Sequence, residues 1–184
     1  MDVATREMKR RAKRLLWAWW LVSLVLCVSP AVAGASSEYI LKAAILYNFT
    51  LFTEWPSTVR GDTLNVCVYG RDPFDKTIDA LTGKAVGERH IAVQRRDAGD
   101  SLADCHVLFI SPAAIQNLPS VLQQLNEAPV LTVADSPGAT KQGVILNMVV
   151  VKDKVQFEAN LHAARAARLT ISSKLLRLAT DVIQ

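Results

Sequence analysis

The sequence predicts an α/β fold: a mostly parallel sheet covered by helices on both faces, with a late antiparallel hairpin at its edge. Three observations lead there. Residues 64–69, 107–111 and 130–134 are short, mostly apolar runs, the pattern of strands buried on both faces rather than one. Helical spacings or helix-start residues fill the intervals between extended runs, as layered α/β folds require. Residues 144–151 and 155–157 are two further extended runs joined by Lys152-Asp153-Lys154, a hairpin spacing.

Taken in chain order, residues 1–33 read as an export signal. Arg6, Lys9, Arg10, Arg11, Lys13 and Arg14 precede residues 15–28, of which thirteen of fourteen are apolar, and Ala31-Val32-Ala33 supplies the small residues of a cleavage site before Gly34. The alternative is an uncleaved N-terminal anchor, because no charge occurs between Leu15 and Ser37, long enough for the roughly 20 residues that cross a bilayer. Either way residues 34–184 form a single domain outside the cytoplasm, since the basic flank stays inside. The leader also accounts for the basic balance of the chain. Of 21 Lys+Arg and 17 Asp+Glu, it holds six and two, leaving fifteen of each sign for the body. A nucleic-acid reading based on overall basicity therefore fails, because counterion release needs a basic patch on the folded part.

Residues 37–53 predict a helix with a broad apolar face: Ile40, Ala44, Tyr47 and Leu51 on one side, with Leu41, Ile45, Asn48, Phe49 and Phe52 widening it. Ser36 or Ser37 caps its start and Trp55-Pro56 stops it. Residues 64–69 form the first main strand, Gly70 a turn, and Asp72-Pro73 the start of a short helix. After a turn at residues 83–87, strands follow at 91–94, 107–111 and 130–134, with Ser120 capping a helix through Leu122, Leu125 and Asn126. The hairpin comes next, then helices at 161–168 and from Ser172 or Ser173 to Ile183.

Once Cys27 leaves with the leader, Cys67 and Cys105 remain, and an oxidising compartment favours pairing them. Two buried free thiols are the alternative. A metal site is disfavoured, because two thiols 38 residues apart without CxxC or HxxxH spacing do not assemble four ligands. Other chemistry is missing. The first strand runs into Gly70-Arg71-Asp72-Pro73, a single glycine where a dinucleotide site wants GxGxxG, and no GxSxG elbow occurs. His90, His106 and His162 are scattered over different elements and read as structural. The sequence therefore predicts no enzyme and no cofactor.

Five blocks carry a specific resemblance. They are Glu38-Tyr39-Ile40-Leu41-Lys42-Ala43-Ala44-Ile45-Leu46-Tyr47-Asn48-Phe49 continuing to Phe52-Thr53-Glu54-Trp55-Pro56; residues 64–70 with Asp72-Pro73-Phe74; Cys105-His106-Val107-Leu108-Phe109-Ile110-Ser111; Val130-Leu131-Thr132-Val133-Ala134-Asp135; and Val155-Gln156-Phe157-Glu158-Ala159-Asn160-Leu161 running into Ile171-Ser172-Ser173-Lys174-Leu175-Leu176-Arg177-Leu178-Ala179. Together they resemble the YfiR family of bacterial periplasmic proteins over essentially the whole body. The resemblance implies an exported regulator that binds and inhibits the periplasmic part of a membrane-bound diguanylate cyclase, lowering cyclic di-GMP and restraining biofilm, in a circuit that includes an outer-membrane lipoprotein. It also implies that Cys67 and Cys105 are a disulfide pair. A second family disulfide is absent, because no Cys follows Cys105, and a glycine pair of the family is reduced to Gln142-Gly143.

Two sets of candidate site residues follow. Phe52 and Trp55, rimmed by Glu54 and Lys42, are expected to form a partner-binding surface. Gly70, Asp72, Phe74 and Ser111, at the carboxyl ends of strands, are expected to line a ligand cleft if the protein is instead a periplasmic small-solute sensor or an accessory to another membrane signalling system. A homodimer is expected in either case.

Overall fold

The computed structural model describes residues 33–184, with side chains from Ser37 onward. The expected export signal and its anchor alternative lie outside the described residues, apart from Ala33 at the expected cleavage point. The elements are α1 (Ala33–Leu51), β1 (Thr53–Glu54), β2 (Thr63–Tyr69), β3 (Ala85–Val86), β4 (Arg89–Arg96), β5 (Val107–Ile110), α2 (Leu118–Leu125), β6 (Leu131–Ala134), β7 (Leu146–Val151), β8 (Lys154–Asn160), α3 (Leu161–Ala166), β9 (Thr170–Ile171), α4 (Ser173–Leu176) and β10 (Asp181–Ile183).

Eight strands form one sheet in the order β10-β8-β7-β6-β5-β2-β4-β3. The consecutive strands β4, β2, β5, β6 and β7 are parallel, and β7 and β8 make the expected antiparallel hairpin, with Leu146 opposite Ala159 and Val151 opposite Lys154. Lys152 and Asp153 both take positive φ at its tip. From β2 the chain passes first to β4 on one side and later to β5 on the other, so the strand order reverses between Gly70 and Ser111. That is the position where open α/β sheets offer a crevice.

Alternation along β2 separates two cores. Leu64, Val66 and Val68 join the one that contains Ala43, Leu46 and Phe49 of α1 and Ala164 of α3. Cys67 and Tyr69 join the other, with Leu118, Val121 and Leu125 of α2. The second core also holds the disulfide. Pairing of β2 with β5 sets Val66 opposite Val107, which brings Cys105 beside Cys67 with Cα atoms 5.8 Å apart and the sulfurs bonded.

Several expected boundaries shift for identifiable reasons. Asp72-Pro73 opens no helix: the Asp72 carboxylate accepts a hydrogen bond from the Phe74 N–H at 2.7 Å, turning the chain before a short 3-10 segment at Ile78–Leu81. Ser120 lies inside α2 rather than capping it, because Pro119 enters the first turn behind Asn117. Its far end is closed by Asn126 in the left-handed conformation. The tail stops being helical at Leu176; residues 181–183 pair in parallel with β8 as an outermost strand beyond the hairpin.

The largest difference concerns α1. Its broad apolar face is split: Phe49 is buried and Ile45, Tyr47 and Phe52 pack against the core, whereas Ile40, Leu41, Ala44, Asn48 and Leu51 are exposed and Lys42, Ala43, Leu46 and Thr50 are buried in their place. A buried cation selects this orientation. Lys42 is only 2 % exposed; its ammonium donates to Asp135, just past β6, at 2.6 Å and also to Glu38, one turn back on α1. The Tyr39 hydroxyl donates to the same Asp135 carboxylate at 2.9 Å, and burial together with that carboxylate holds the phenol protonated far above its ordinary range. An ammonium taken from water is tolerable only when paired and hydrogen-bonded in this way.

Two stability experiments follow. Cys67→Ala opens a 38-residue covalent loop, and chain entropy sets the expected loss at about 4 kcal/mol, read as a shift of the urea midpoint under oxidising conditions; a shift close to zero contradicts the disulfide. Lys42→Met strands Asp135 and is expected to cost ~3 kcal/mol. Adding Asp135→Leu is expected to restore a large part of that loss, whereas strictly additive losses from the two changes would show that the pair is not coupled.

Candidate functional site

The segment after α1 is fixed from three directions. β1 pairs antiparallel with β9, Thr53 opposite Ile171 and Glu54 opposite Thr170, and the Ser172 N–H donates to the Phe52 carbonyl at 2.9 Å. The Trp55 indole N–H donates to the carbonyl of His106 at 3.3 Å. The first and last of the resembling sequence blocks thus meet in space, with the Ser172 hydroxyl accepting from the Lys174 N–H at the start of α4.

Phe52 and Trp55 are half-buried and pack on the first core, while Glu54 is exposed. Trp55 and Glu54 form one wall of a surface groove of about 380 Å³; Leu51, Val86, Glu88 and Arg89 are among the others. Phe52 stands beside this groove and does not line it. Lys42 is not part of its rim, because its charge is consumed by Asp135 in the interior. Arg89 reaches from the wall to the Val59 carbonyl, leaving Glu54 and Glu88 as the carboxylates of the groove.

His106 supports this surface from beneath. Its Nδ1 accepts from the Asn65 N–H at 3.0 Å, so the proton of the neutral ring sits on Nε2, and its backbone carbonyl receives both the Trp55 indole and the Leu131 N–H. Burial, followed by the charge of Arg89, pushes the imidazole pKa below its usual 6.5, with Asp104 opposing.

Of the expected ligand-cleft residues, Gly70 and Ser111 meet at the strand reversal, whereas Phe74 packs into the first core and Asp72 pairs with Arg95. Phe74 is 1 % exposed, and its ring meets Tyr39 edge-on at 5.2 Å and Phe109 at 4.7 Å. Gly70 takes φ of +81°, and a Cβ there would stand 2.5 Å from the Ala114 Cβ and 3.0 Å from the Ser111 hydroxyl, so only glycine permits this close crossing. Ser111 is fully buried, and its hydroxyl has no hydrogen-bond partner among the described residues. Asp72 faces outward, where its carboxylate binds the Arg95 guanidinium at 2.9 Å, and Asp79 binds the same guanidinium. Among the described residues no group of three or more His, Cys, Asp or Glu could hold a metal ion, and no helix is long and apolar enough to cross a membrane.

Sequence reading missed two polar features. Asp135 belongs to the fourth resembling block, and its only outward signal is a carboxylate directly after a buried strand. The second is a chain in which the Asn147 amide donates to Glu158 at 3.2 Å, Thr140 donates to the same carboxylate at 2.9 Å, and Asn160 donates to the Thr140 carbonyl at 2.8 Å. It ties β7 and β8 to the loop that follows β6.

A pH experiment tests the role of His106. Because the folded pKa lies below the unfolded one, the unfolded chain takes up the proton first as pH falls from 6.5, and stability declines across that interval. His106→Asn, whose amide oxygen can still accept the Asn65 N–H, is expected to lose that part of the decline in denaturant titrations at pH 7 and pH 5.5. An identical decline in both proteins contradicts a neutral buried imidazole.

Comparison with known proteins adds the family. The family model described as YfiR/HmsC-like matches residues 39–180, and no curated protein matches the chain. Two solved structures share the fold. An ABC domain from Streptococcus pneumoniae, solved in complex with L-Trp, superposes with a TM-score of 0.52 at 10 % identity over 79 % of this chain. A conserved domain protein from Vibrio cholerae O1 biovar El Tor gives 0.50 at 11 % identity over 78 %. This chain spans 60 % of the length of each of those two. The match of the family model, from Tyr39 to Thr180, runs from within α1 through α4 and stops just before β10, and the protein belongs to the YfiR/HmsC-like family.

Proposed function

We propose that this protein is an exported homodimeric inhibitor that docks on the periplasmic part of an inner-membrane diguanylate cyclase and thereby lowers cyclic di-GMP and restrains biofilm. Export proceeds by cleavage after Ala33, and an outer-membrane lipoprotein relieves the inhibition by withdrawing the protein from the cyclase. The inhibitor acts by binding and carries out no chemical turnover.

The observation that carries this reading is the groove beside Trp55. An indole anchored at one edge by a backbone carbonyl, with its ring half open to solvent and carboxylates on the walls, combines rigidity with apolar area. Such anchors dominate protein interfaces because little side-chain freedom remains to be lost on binding. Phe52 backs the groove and Glu54 contributes charge selectivity at its rim. A small-solute sensor is the second reading, favoured by the likeness to a domain that holds L-Trp. Its site would be the strand reversal at Gly70, Asp72, Phe74 and Ser111, and the buried Phe74 and Ser111 there weigh against it, because a solute would first have to displace the chain's own Tyr39 and Phe74.

Deletion of the gene is expected to raise cellular cyclic di-GMP several-fold, with a return to baseline when the cyclase is deleted as well. Re-expression of Glu54→Arg, an exposed position that leaves folding intact, is expected to restore repression only in part, and Trp55→Ala, checked for folding by circular dichroism, to fail. Full repression by both folded variants would remove this surface from the interface. An unchanged cyclic di-GMP level in the deletion strain would contradict the inhibitor reading and return attention to the sensor.

A further inference from the structure

A cavity of about 150 Å³ lies where β6 and β7 part. The two strands pair only at Val133 with Leu146 and at Ala134 with Asn147. Before that point Ile145 reaches β6 through the Thr132 hydroxyl, which accepts its N–H at 3.0 Å. Thr132 and Ile145 are buried and form the floor of the opening. Leu122 and Leu125 of α2 line one wall, Ala163 and Ala166 of α3 the other. α2 packs in the second core and α3 in the first, so the cavity joins the two. Protein interiors are otherwise close-packed, and the α3 wall carries the smallest side chains, where a single leucine would take up the space. Glu127 stands at the mouth, exposed and in the left-handed conformation beside a left-handed Asn126. Among the described residues it is the one charged member of the lining, and it takes part in no ion pair.

We infer that this cavity binds a small amine whose hydrocarbon part is a single ring or a short branched chain, with the hydrocarbon between the leucines and alanines and the ammonium at Glu127. The site goes beyond the proposed inhibition and does not depend on it. Three features select the ligand class. The volume admits a six-membered ring and little more, since an apolar cavity of about 150 Å³ takes a molecule the size of benzene. The walls are hydrocarbon and the Thr132 hydroxyl is already engaged by the Ile145 N–H, so water or a strongly polar solute would enter with few partners. A ring gains dispersion contacts from both walls at once. Glu127 selects the charge, because its carboxylate attracts an ammonium at the mouth and repels a second carboxylate there. The ligand crevice expected at the strand reversal is packed by Phe74, whereas this opening at the start of β7 is left unfilled by the chain.

The test titrates the secreted chain, with its native disulfide and labelled methyl groups, with benzylamine at neutral pH and follows it by nuclear magnetic resonance. The methyl signals of Leu122, Leu125 and Ile145 are expected to shift to saturation with a dissociation constant of about 1 mM. Benzyl alcohol, of the same size and uncharged, is expected to bind ~5-fold more weakly, and benzoate more weakly still. Glu127→Gln, at an exposed position, is expected to erase the advantage of benzylamine over benzyl alcohol. Ala166→Leu fills the cavity and is expected to weaken benzylamine by roughly 10-fold or more; if that variant fails to fold, the wild-type and Glu127→Gln titrations decide the question. No shift of the three methyl signals at ~10 mM benzylamine overturns the site. Undiminished binding to folded Ala166→Leu places the ligand elsewhere and overturns it as well. Equal affinity for the three ligands, or a preference for benzoate, overturns the assignment to amines.

Discussion

Burial of one ammonium group organises the first helix, and much of the rest follows from it. α1 is apolar on nearly every side, so hydrophobicity alone gives it little reason to present one face to the sheet. Lys42 removes that freedom. Its charge must be met in the interior, Asp135 at the end of β6 meets it, and Tyr39 closes the arrangement by donating to the same carboxylate. Once Lys42 points inward, Ala43, Leu46 and Phe49 enter the core and Leu41, Ala44 and Asn48 are carried to the surface. The same constraint lays Tyr39 against Phe74, filling the reversal point of the sheet where a ligand crevice could otherwise open.

The centre of the sheet was legible in the sequence because β5 and β6 are short apolar runs buried on both sides, and their length and the turn residues around them mark them as strands. The hairpin was legible because two extended runs are separated by a polar tripeptide of turn length. The face of α1 was not legible. Ile40, Ala44, Tyr47 and Leu51 obey helical spacing as well as Ala43, Leu46 and Phe49 do, and the choice between them lies in a contact 93 residues away in sequence. A lone lysine inside an apolar helix was the available sign, but lysine side chains on a surface commonly lay their stems along apolar neighbours, and that reading placed Lys42 on a rim. The tail was misjudged for a related reason. Residues 181–183 become a strand because β8 offers an unpaired edge, which no local propensity announces.

Among the candidate sites, proximity was easier to foresee than accessibility. Gly70 and Ser111 do meet, yet Gly70 is there to let the backbone approach Ala114, and Phe74 fills space in the first core. Phe52, Glu54 and Trp55 keep partial exposure because the short ribbon of β1 and β9 holds them off the main sheet. Exposed apolar residues lie instead on α1, at Ile40, Leu41 and Leu51, and the half-buried Trp55 indole borders a groove.

The central claim is that the Lys42 to Asp135 contact orients α1, and side-chain oxidation of the wild-type protein reads that orientation directly. Hydroxyl-radical footprinting with mass spectrometry, on samples dilute enough to be monomeric, should find Ile40, Leu41 and Leu51 oxidised and Leu46 and Phe49 protected. Protection of Leu41 and Leu51 together with oxidation of Leu46 in the monomer would mean that the opposite face meets the sheet, and the account would fail.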